Sequence, residues 1–496
     1  MSDLLTGLNP PQAEAVLHDE GPLLVLAGAG SGKTRVLTHR IARLVSERGV
    51  PPWAILAITF TNKAAGEMRE RIVGLIGPLG REVWASTFHS ACVRILRREA
   101  EAAGLPRDFT IYDADDQARL MRQCLVDEDM DPKRFAPRAV LGQISDAKNR
   151  LRGPEELAAE AGSFSDEAVV RLYRRYQQRL AAAGALDFDD LLMVTVRMLE
   201  ADEATRNRYQ SRFQHVMVDE YQDTNHAQYR LVRILAAPQN NVMAVGDDDQ
   251  GIYSWRGADV RNILDFERDY PGAHIVALEQ NYRSTGTILR AANAVVALNH
   301  DRRPKKLWTD AGDGEPLAVA GFRDEHEEAR AVASEIDRAA AEGTRLDEIA
   351  VFYRTNAQSR AIEDQLVRRR IPYGVVGGPR FYERAEVRDA MAYLRVVANP
   401  GDVIAFTRAM ATPRRGIGPG AVQKLQAFAD THGMGVAEAP AQADMVDGLT
   451  AAQRRALAPV AALFADLSQA ARAGLPFDQL VRMAGDGSGL RAALEA

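Results

Sequence analysis

A chain of 496 residues exceeds the span of one domain and is expected to form about three or four. With 46% hydrophobic residues, 26% charged residues and a net charge of -6, it reads as an ordinary globular protein without bulk attraction to nucleic acid, so any such contact must come from local basic and aromatic patches. Two cysteines without a CxxC pair, and histidines away from metal-ligand spacing, exclude a cysteine-rich zinc or iron–sulfur site, while strand-sized apolar runs and no signal peptide give an expected cytoplasmic location without a membrane partner.

The first elements are the strand PLLVLAGAG, a helix from Gly32 to about Glu47, and the strand AILAITF, which begin parallel βα units. AGAGSGKT has the form AxxxxGKT, with Ala27 where the phosphate-loop pattern has its first glycine. What matters there is a run of backbone N–H groups (Ala27, Gly28, Ala29, Gly30, Ser31, Gly32) converging at a helix N-terminus, with Arg35 just inside the helix. Lys33 is expected to reach the β- and γ-phosphates and Thr34 to hold Mg²⁺. ITFTNKAA ends its strand with Phe60, Thr61, Asn62 and Lys63, and ASTFHS repeats the idea with Thr87, Phe88 and His89. Plain packing explains each alone; together they suit a groove that a single strand could cross.

From about 90 to 210 the chain reads as arginine- and alanine-rich helices without buried strands, an insertion in the α/β domain. Inside it, LDFDDLL presents Phe188, while Asp187 or Asp189 can equally be a helix cap. Strands return at HVMVDE, NVMAVGDDDQ and AHIVALEQ. VMVDEYQD places Asp219 and Glu220 at the carboxyl edge of a parallel strand, the first suited to hold Mg²⁺ through water and the second to orient and deprotonate an attacking water. In VGDDDQGIYSWRGAD, Gln250 and Arg256 could report the γ-phosphate, and Tyr253 and Trp255 could stack on bases or pack in a core.

NYRST follows a predicted strand and begins a second α/β unit, which puts Arg283 at a domain junction. That unit continues with a strand in LDEIAVFYRTN, a helix in AQSRAIEDQLVRRR with Ile362 and Leu366 on one face, and a strand in IPYGVVGG. Beyond about Phe381 the chain is helical and alanine-rich. TPRRGIGPGAVQKL reads either as a generic Gly/Pro turn or as a helix-hairpin-helix turn. In the second reading Gly416 and Gly418 let backbone N–H groups approach a duplex phosphate, and Arg414 and Arg415 add charge.

The ordered set of Gln12 in LNPPQAEAV, then AGAGSGKT, ITFTNKAA, STFHS, LDFDDLL, VDEYQDTN, VGDDDQGIYSWRGAD, LEQNYRST and YRTNAQSR resembles the UvrD/Rep/PcrA helicases of superfamily 1, nearest their UvrD and PcrA branch, over essentially the whole chain. The resemblance implies an α/β fold of two RecA-like P-loop domains with parallel sheets, each interrupted by a mainly helical insertion. Residues 1–90 and 212–278 would form the first domain (1A), 91–211 its insertion (1B), 279–380 the first part of the second domain (2A) and 381–496 its insertion (2B). It also implies ATP with Mg²⁺ in the cleft between the domains and 3′-to-5′ movement along single-stranded DNA in repair or replication. Single-strand/duplex junctions and DNA-repair proteins would be the partners. By the same resemblance Gln12 would read adenine, Tyr282 would stack on it, and Arg283 would reach the γ-phosphate as an arginine finger. Phe60, Tyr253 and Trp255 would be stacking stations, with Asn62, His89, Phe188, Arg354 and Asn356 lining the DNA path. Two further family motifs, one carrying a second catalytic arginine, do not occur in these residues. The expectation is therefore a fragment with an incomplete second domain and impaired activity alone. A nucleotide-gated strand-binding or scaffold protein is the alternative.

Overall fold

The sequences LLVLA, ILAIT, HVMV and VMAVG are apolar at nearly every position, the pattern of strands covered on both faces. In a computed structural model, which describes residues 3–300, 302–376 and 384–495, they are central strands of one sheet. The strands in chain order are β1 (Leu23–Ala27), β2 (Ile55–Thr59), β3 (Trp84–Thr87), β4 (Thr110–Tyr112), β5 (Ala185–Asp187), β6 (His215–Val218), β7 (Val242–Gly246) and β8 (His274–Leu278). Six of them form an all-parallel sheet in the order β3-β2-β6-β7-β1-β8. All six carboxyl ends therefore open on one edge, where ligands of such sheets bind.

The helices are α1 (Pro10–Leu17), α2 (Lys33–Ser46), α3 (Asn62–Ile76) and α4 (Phe88–Arg98), then α5 (Ala114–Asp127), α6 (Pro137–Asn149), α7 (Pro154–Ala158), α8 (Phe164–Ala182), α9 (Phe188–Ala201), α10 (Glu203–Arg212) and α11 (His226–Ala236). Side chains alternate across a strand, so Leu23, Val25 and Ala27 meet Val36, Ile41 and Met68 of α2 and α3 on one face. Leu24 and Leu26 share the opposite core with Ile95 of α4, Val196 of α9 and Leu231 of α11. Both α4 and α9 thus pack against the sheet, whereas α5, α6 and α8 surround a separate core of Met121, Cys124, Ile144, Tyr173 and Tyr176.

The insertion expected to lack strands contains one short parallel pair, β4 with β5. Three-residue strands leave almost no period to read, and Asp187 serves both as the end of β5 and as the N-cap of α9.

α1 is held from behind by α2. The Arg40 guanidinium, 2% exposed, donates to the carbonyls of Ala15 (3.2 Å) and His18, and Arg43 pairs with Asp19 at 2.7 Å. These are the open carbonyls of a helix C-terminus, which cations satisfy.

By its contacts the chain divides into two compact units, residues 1–314 with 392–496, and residues 315–391. In the first, helices Val403–Ala411, Pro419–His432 and Ala451–Arg472 enclose Phe406, Leu425, Leu457 and Phe464, in line with the helical character expected there. The second packs helix Glu325–Ala341 on helix Asn356–Arg369 through Ala333, Ile336 and Leu366. The strands expected in LDEIAVFYRTN and IPYGVVGG are a correction: the described residues there form only a 3₁₀ turn, Leu346–Glu348, and irregular chain with Phe352 and Val376 exposed. Their β-branched and aromatic residues favour extended backbone, but a strand is completed only by a hydrogen-bonding neighbour, and none pairs with them among the described residues. Residues 377–378 of IPYGVVGG and the expected 380/381 boundary lie outside the described residues. No helix of the described residues is long and apolar enough to cross a membrane.

Candidate nucleotide and single-strand sites

Between β1 and α2 the backbone turns through Gly30 (φ +67°) and Gly32 (φ +92°), left-handed conformations that side chains resist. Gly30 is needed for space as well, since a Cβ there would lie 2.6 Å from Asn281 Nδ2 and 2.7 Å from Arg283 Cβ. Asn281 Nδ2 donates to the Ala29 carbonyl (2.5 Å), and the Tyr282 N–H donates to the Gly30 carbonyl (2.9 Å). The segment after β8 is thereby bound over the loop. A cavity of about 430 Å³ opens here, lined by Gly30, Gly32, Lys33, Thr34 and Arg35, by Asp219 and Glu220 after β6, and by Tyr282 and Arg283.

Lys33 Nζ pairs with Glu220 Oε2 at 3.1 Å. Glu220 itself has φ +51°, a left-handed value uncommon for a side-chain-bearing residue and typical of functional turns. Asp219 is buried. Burial, followed by repulsion from Glu220, pushes its carboxyl up to about 6, partly offset by Lys33. Gln12 is 1% exposed, donating to the Ser31 carbonyl (2.8 Å) and accepting from the Asn9 N–H (3.1 Å). Asn9 Nδ2 in turn donates to the hydroxyl of Tyr282 (2.8 Å), which is 56% exposed beside it. Gln12 thus supports the wall on which Tyr282 stands.

A second cavity of about 690 Å³ includes Phe60 from the end of β2, His89 from α4, Phe188 from α9, and Tyr253 and Trp255 from the turn after β7. The Phe60 and Tyr253 rings stack at 5.8 Å and 17°, Tyr253 and Trp255 follow at 6.5 Å, and His89 meets Phe188 edge-on at 5.9 Å. Trp255 remains 65% exposed, so it is no core residue. Burial holds His89 below the usual histidine range and disfavours its cationic form. One expectation is corrected here. Arg256 lines this groove with its guanidinium 4.6 Å from the Trp255 ring, because the 3₁₀ turn Ser254–Arg256 folds it back over the indole. The Gln250 amide donates to Asp247 at 2.5 Å in the loop after β7.

Compared with protein-family models, residues 8–271 match the UvrD/REP helicase N-terminal domain and residues 276–446 match the UvrD-like helicase C-terminal domain. The chain belongs to the UvrD/REP helicase family. It is 50% identical to the ATP-dependent DNA helicase PcrA of Bacillus subtilis over 92% of its own length and 62% of the relative's. It is 51% identical to the ATP-dependent DNA helicase UvrD1 of Mycobacterium tuberculosis over 99% of its length and 66% of that protein's. It therefore spans just under two thirds of these relatives. The expectation of an incomplete second domain gains no support from the C-terminal match, which runs over residues 276–446.

In this UvrD/REP helicase chain the remaining expected residues divide by role. Thr61 and Thr87 are N-caps of α3 and α4, accepting from Ala64 N–H (3.1 Å) and Ser90 N–H (3.2 Å). Asn62 Oδ1 accepts from the Thr87 and Ser90 hydroxyls (3.4 and 3.3 Å), and exposed Lys63 faces Glu67 at 3.9 Å. Arg354 and Asn356 belong to the 315–391 unit, at the start of helix Asn356–Arg369. Arg414, Gly416 and Gly418 are exposed ahead of helix Pro419–His432, with Gly416 at φ +73°. Arg415 is corrected to a structural role: its guanidinium donates to the carbonyls of Ala409 (2.9 Å) and Ser488 (2.7 Å) and to the Tyr393 hydroxyl (2.8 Å).

Sequence reading passed over Asn281, Gln222 and Lys305. The Lys305 ammonium, 4% exposed, sits among Asp247 (2.9 Å), Asp248 and Asp249 (2.8 Å), and Arg302 adds a second cation on Asp249 at 2.7 Å. The acidic triplet is thus an ion-pair socket for the 302–305 segment. Its sequence signal was the DDD run itself.

The wall beneath Phe188 holds a buried ion cluster. Lys148 Nζ, fully enclosed, lies 2.6 Å from Asp187 and 2.8 Å from Asp190, and the Tyr176 hydroxyl donates to Asp187 at 3.1 Å. Burial raises Asp190, with Asp187 repulsion adding to it. For Asp187, burial opposes the charge, but Lys148 outweighs it and holds that carboxyl low. Replacing Lys148 by Met leaves two interior carboxyls without a counter-charge, and a loss of about 3–5 kcal/mol is expected in urea unfolding. A shift under about 1 kcal/mol would show the ammonium to be dispensable.

Proposed function

We propose that this chain is the motor portion of an ATP-dependent 3′-to-5′ single-stranded DNA translocase and helicase of the UvrD type, serving DNA repair or replication. The observation that carries the reading is the arrangement along one sheet edge. A cavity of about 430 Å³ stands at the end of β1, an aromatic groove at the ends of β2 and β3, and β6 with its two carboxylates lies between them. The names of the relatives support ATP and DNA as ligands.

In this reading the loop amides and Lys33 take the β- and γ-phosphates, and Lys33 leaves Glu220 to do so. Glu220, freed from its cation, orients and deprotonates the attacking water. Gln12 reads adenine beside Tyr282, which offers its exposed face to that base, and Arg283 stabilises charge developing on the transferred phosphoryl. Thr34 and Asp219 present only oxygen donors, a set that fits Mg²⁺, which when bound would neutralise phosphate charge. Phe60, Tyr253, Trp255 and Phe188 grip unpaired bases without sequence preference, with His89, Asn62 and Arg256 beside them. Closure of two RecA-like domains around ATP, each with its helical insertion, would then turn hydrolysis into steps, with Arg354 and Asn356 contacting DNA from the second domain. Arg414, Gly416 and Gly418 suit duplex phosphates at a single-strand/duplex junction.

The test is unwinding of a 3′-tailed duplex against a 5′-tailed one. ATP-dependent unwinding of the 3′-tailed substrate alone is expected. Tight strand binding with no displacement from either substrate would favour the nucleotide-gated binder instead.

Asp219 supplies a pH test. Because its carboxyl titrates near 6, it is charged and able to hold a cation above that value and protonated below it. As pH falls through 6, the Mg²⁺ concentration for half-maximal nucleotide binding is expected to rise more steeply in the unmodified chain than in Asp219→Asn, the titration of the nucleotide's own phosphate being common to both. Parallel profiles in the two would count against the assignment.

A further inference from the structure

We infer that Gln222 is a positioning residue that links the nucleotide cavity to the aromatic groove, an inference resting on the two-site reading above. Gln222 lies on the 3₁₀ turn after β6 and is 1% exposed. Its Nε2 donates to Glu220 Oε2 at 2.9 Å, the same oxygen that pairs with Lys33. Its Oε1 accepts from the Asp247 N–H at 3.0 Å, at the first residue after β7. Asp247 then holds Gln250 through its carboxylate, three residues before Tyr253.

One amide therefore joins the two strand-end loops, using its donor on one side and its acceptor on the other. Space is kept for it: a Cβ on Gly246 would come within 2.5 Å of Gln222 Oε1 and 3.2 Å of the Tyr221 nitrogen. With an ordinary Gly246 φ, this glycine answers to crowding alone. At the far end Lys305 fixes the Asp247 carboxylate at 2.9 Å, so the loop is not free to absorb a displacement locally.

The physical consequence follows from charge. When phosphates draw Lys33 away, Glu220 Oε2 loses its cation, and Gln222 becomes its remaining protein donor at that oxygen. Any resetting of Glu220 is passed through a near-rigid amide to the Asp247 N–H and on to the turn bearing Tyr253 and Trp255. A coupling claim of this kind requires that both sites bias one element.

The test measures oligothymidylate affinity by fluorescence anisotropy, with and without a non-hydrolysable ATP analogue. The unmodified chain is expected to show an affinity ratio within about 5–150-fold. In Gln222→Leu, which keeps bulk and loses both hydrogen bonds, the ratio should fall below about two-fold while each ligand still binds. Gln222→Glu is nearly isosteric, keeps the acceptor for Asp247 and loses the donor to Glu220; it should lose the ratio too, and it decides the matter if the leucine variant does not fold. Gly246→Ala should give the same loss from the opposite side. A preserved ratio in a cooperatively melting Gln222 variant overturns the link and leaves the two-site reading standing. An unmodified chain that binds both ligands without coupling overturns the link alone, and one that binds neither overturns both.

Discussion

Lys33→Ala is expected to abolish ATP turnover, by at least about 10³-fold in kcat, with single-strand binding in the absence of nucleotide largely retained. The size follows from what the side chain faces. Its ammonium lines the same cavity as two carboxylates and pairs with Glu220 at 3.1 Å. Without it, an incoming polyphosphate meets Asp219 and Glu220 across a partly dehydrated space with no cation from the loop. Retained strand binding follows from the separation of linings, because no residue of the phosphate cavity also lines the aromatic groove. Steady-state hydrolysis with and without oligonucleotide checks both halves. Turnover within about ten-fold of the unmodified rate would remove Lys33 from the phosphate site.

Trp255→Ala is expected to weaken single-strand affinity by about 1–3 kcal/mol, or about 5–150-fold, and to uncouple hydrolysis from DNA. The indole is 65% exposed, with the Arg256 guanidinium 4.6 Å from its ring and the Tyr253 ring tilted at 6.5 Å, so its removal costs the fold little. What disappears is a stacking face and the surface that orders Arg256. The expected kinetic signature is a lost stimulation by oligonucleotide with the DNA-independent rate preserved. Undiminished stimulation would place the strand elsewhere. Trp255→Phe, which keeps an aromatic face, should recover most of the effect.

The cavity at the end of β1 was legible because its parts are local. Gly30, Gly32 and Lys33 follow a buried strand directly, and Asp219-Glu220 ends another, so strand–turn grammar sufficed. The groove's aromatics were legible for a similar reason, each standing at or just after a strand end. What escaped is what depends on tertiary approach. Asn281 bonds Ala29 and Gln222 bonds Asp247 only because particular strand ends become neighbours in the sheet, and no spacing in the chain announces that. Arg256 was misread because a motif gives order along the chain but not the direction in which a 3₁₀ turn throws a side chain. The missing strands near Val351 and Val376 show the complementary limit: local preference for extension is readable, whereas the hydrogen-bonding neighbour is a property of the whole sheet.

The arginine clasp behind α1 makes the amino-terminal twenty residues an integral part of the support for α2. Arg40 and Arg43 project from the helix that begins at Lys33, and their charge is answered mainly by carbonyls and one carboxylate between Ala15 and Asp19. Trimming that segment would strand Arg40 against an apolar interior and leave Arg43 only Glu47 of its own helix at 3.3 Å, so a shortened polypeptide would lose more than a surface helix's worth of packing, and the injury would begin along α2.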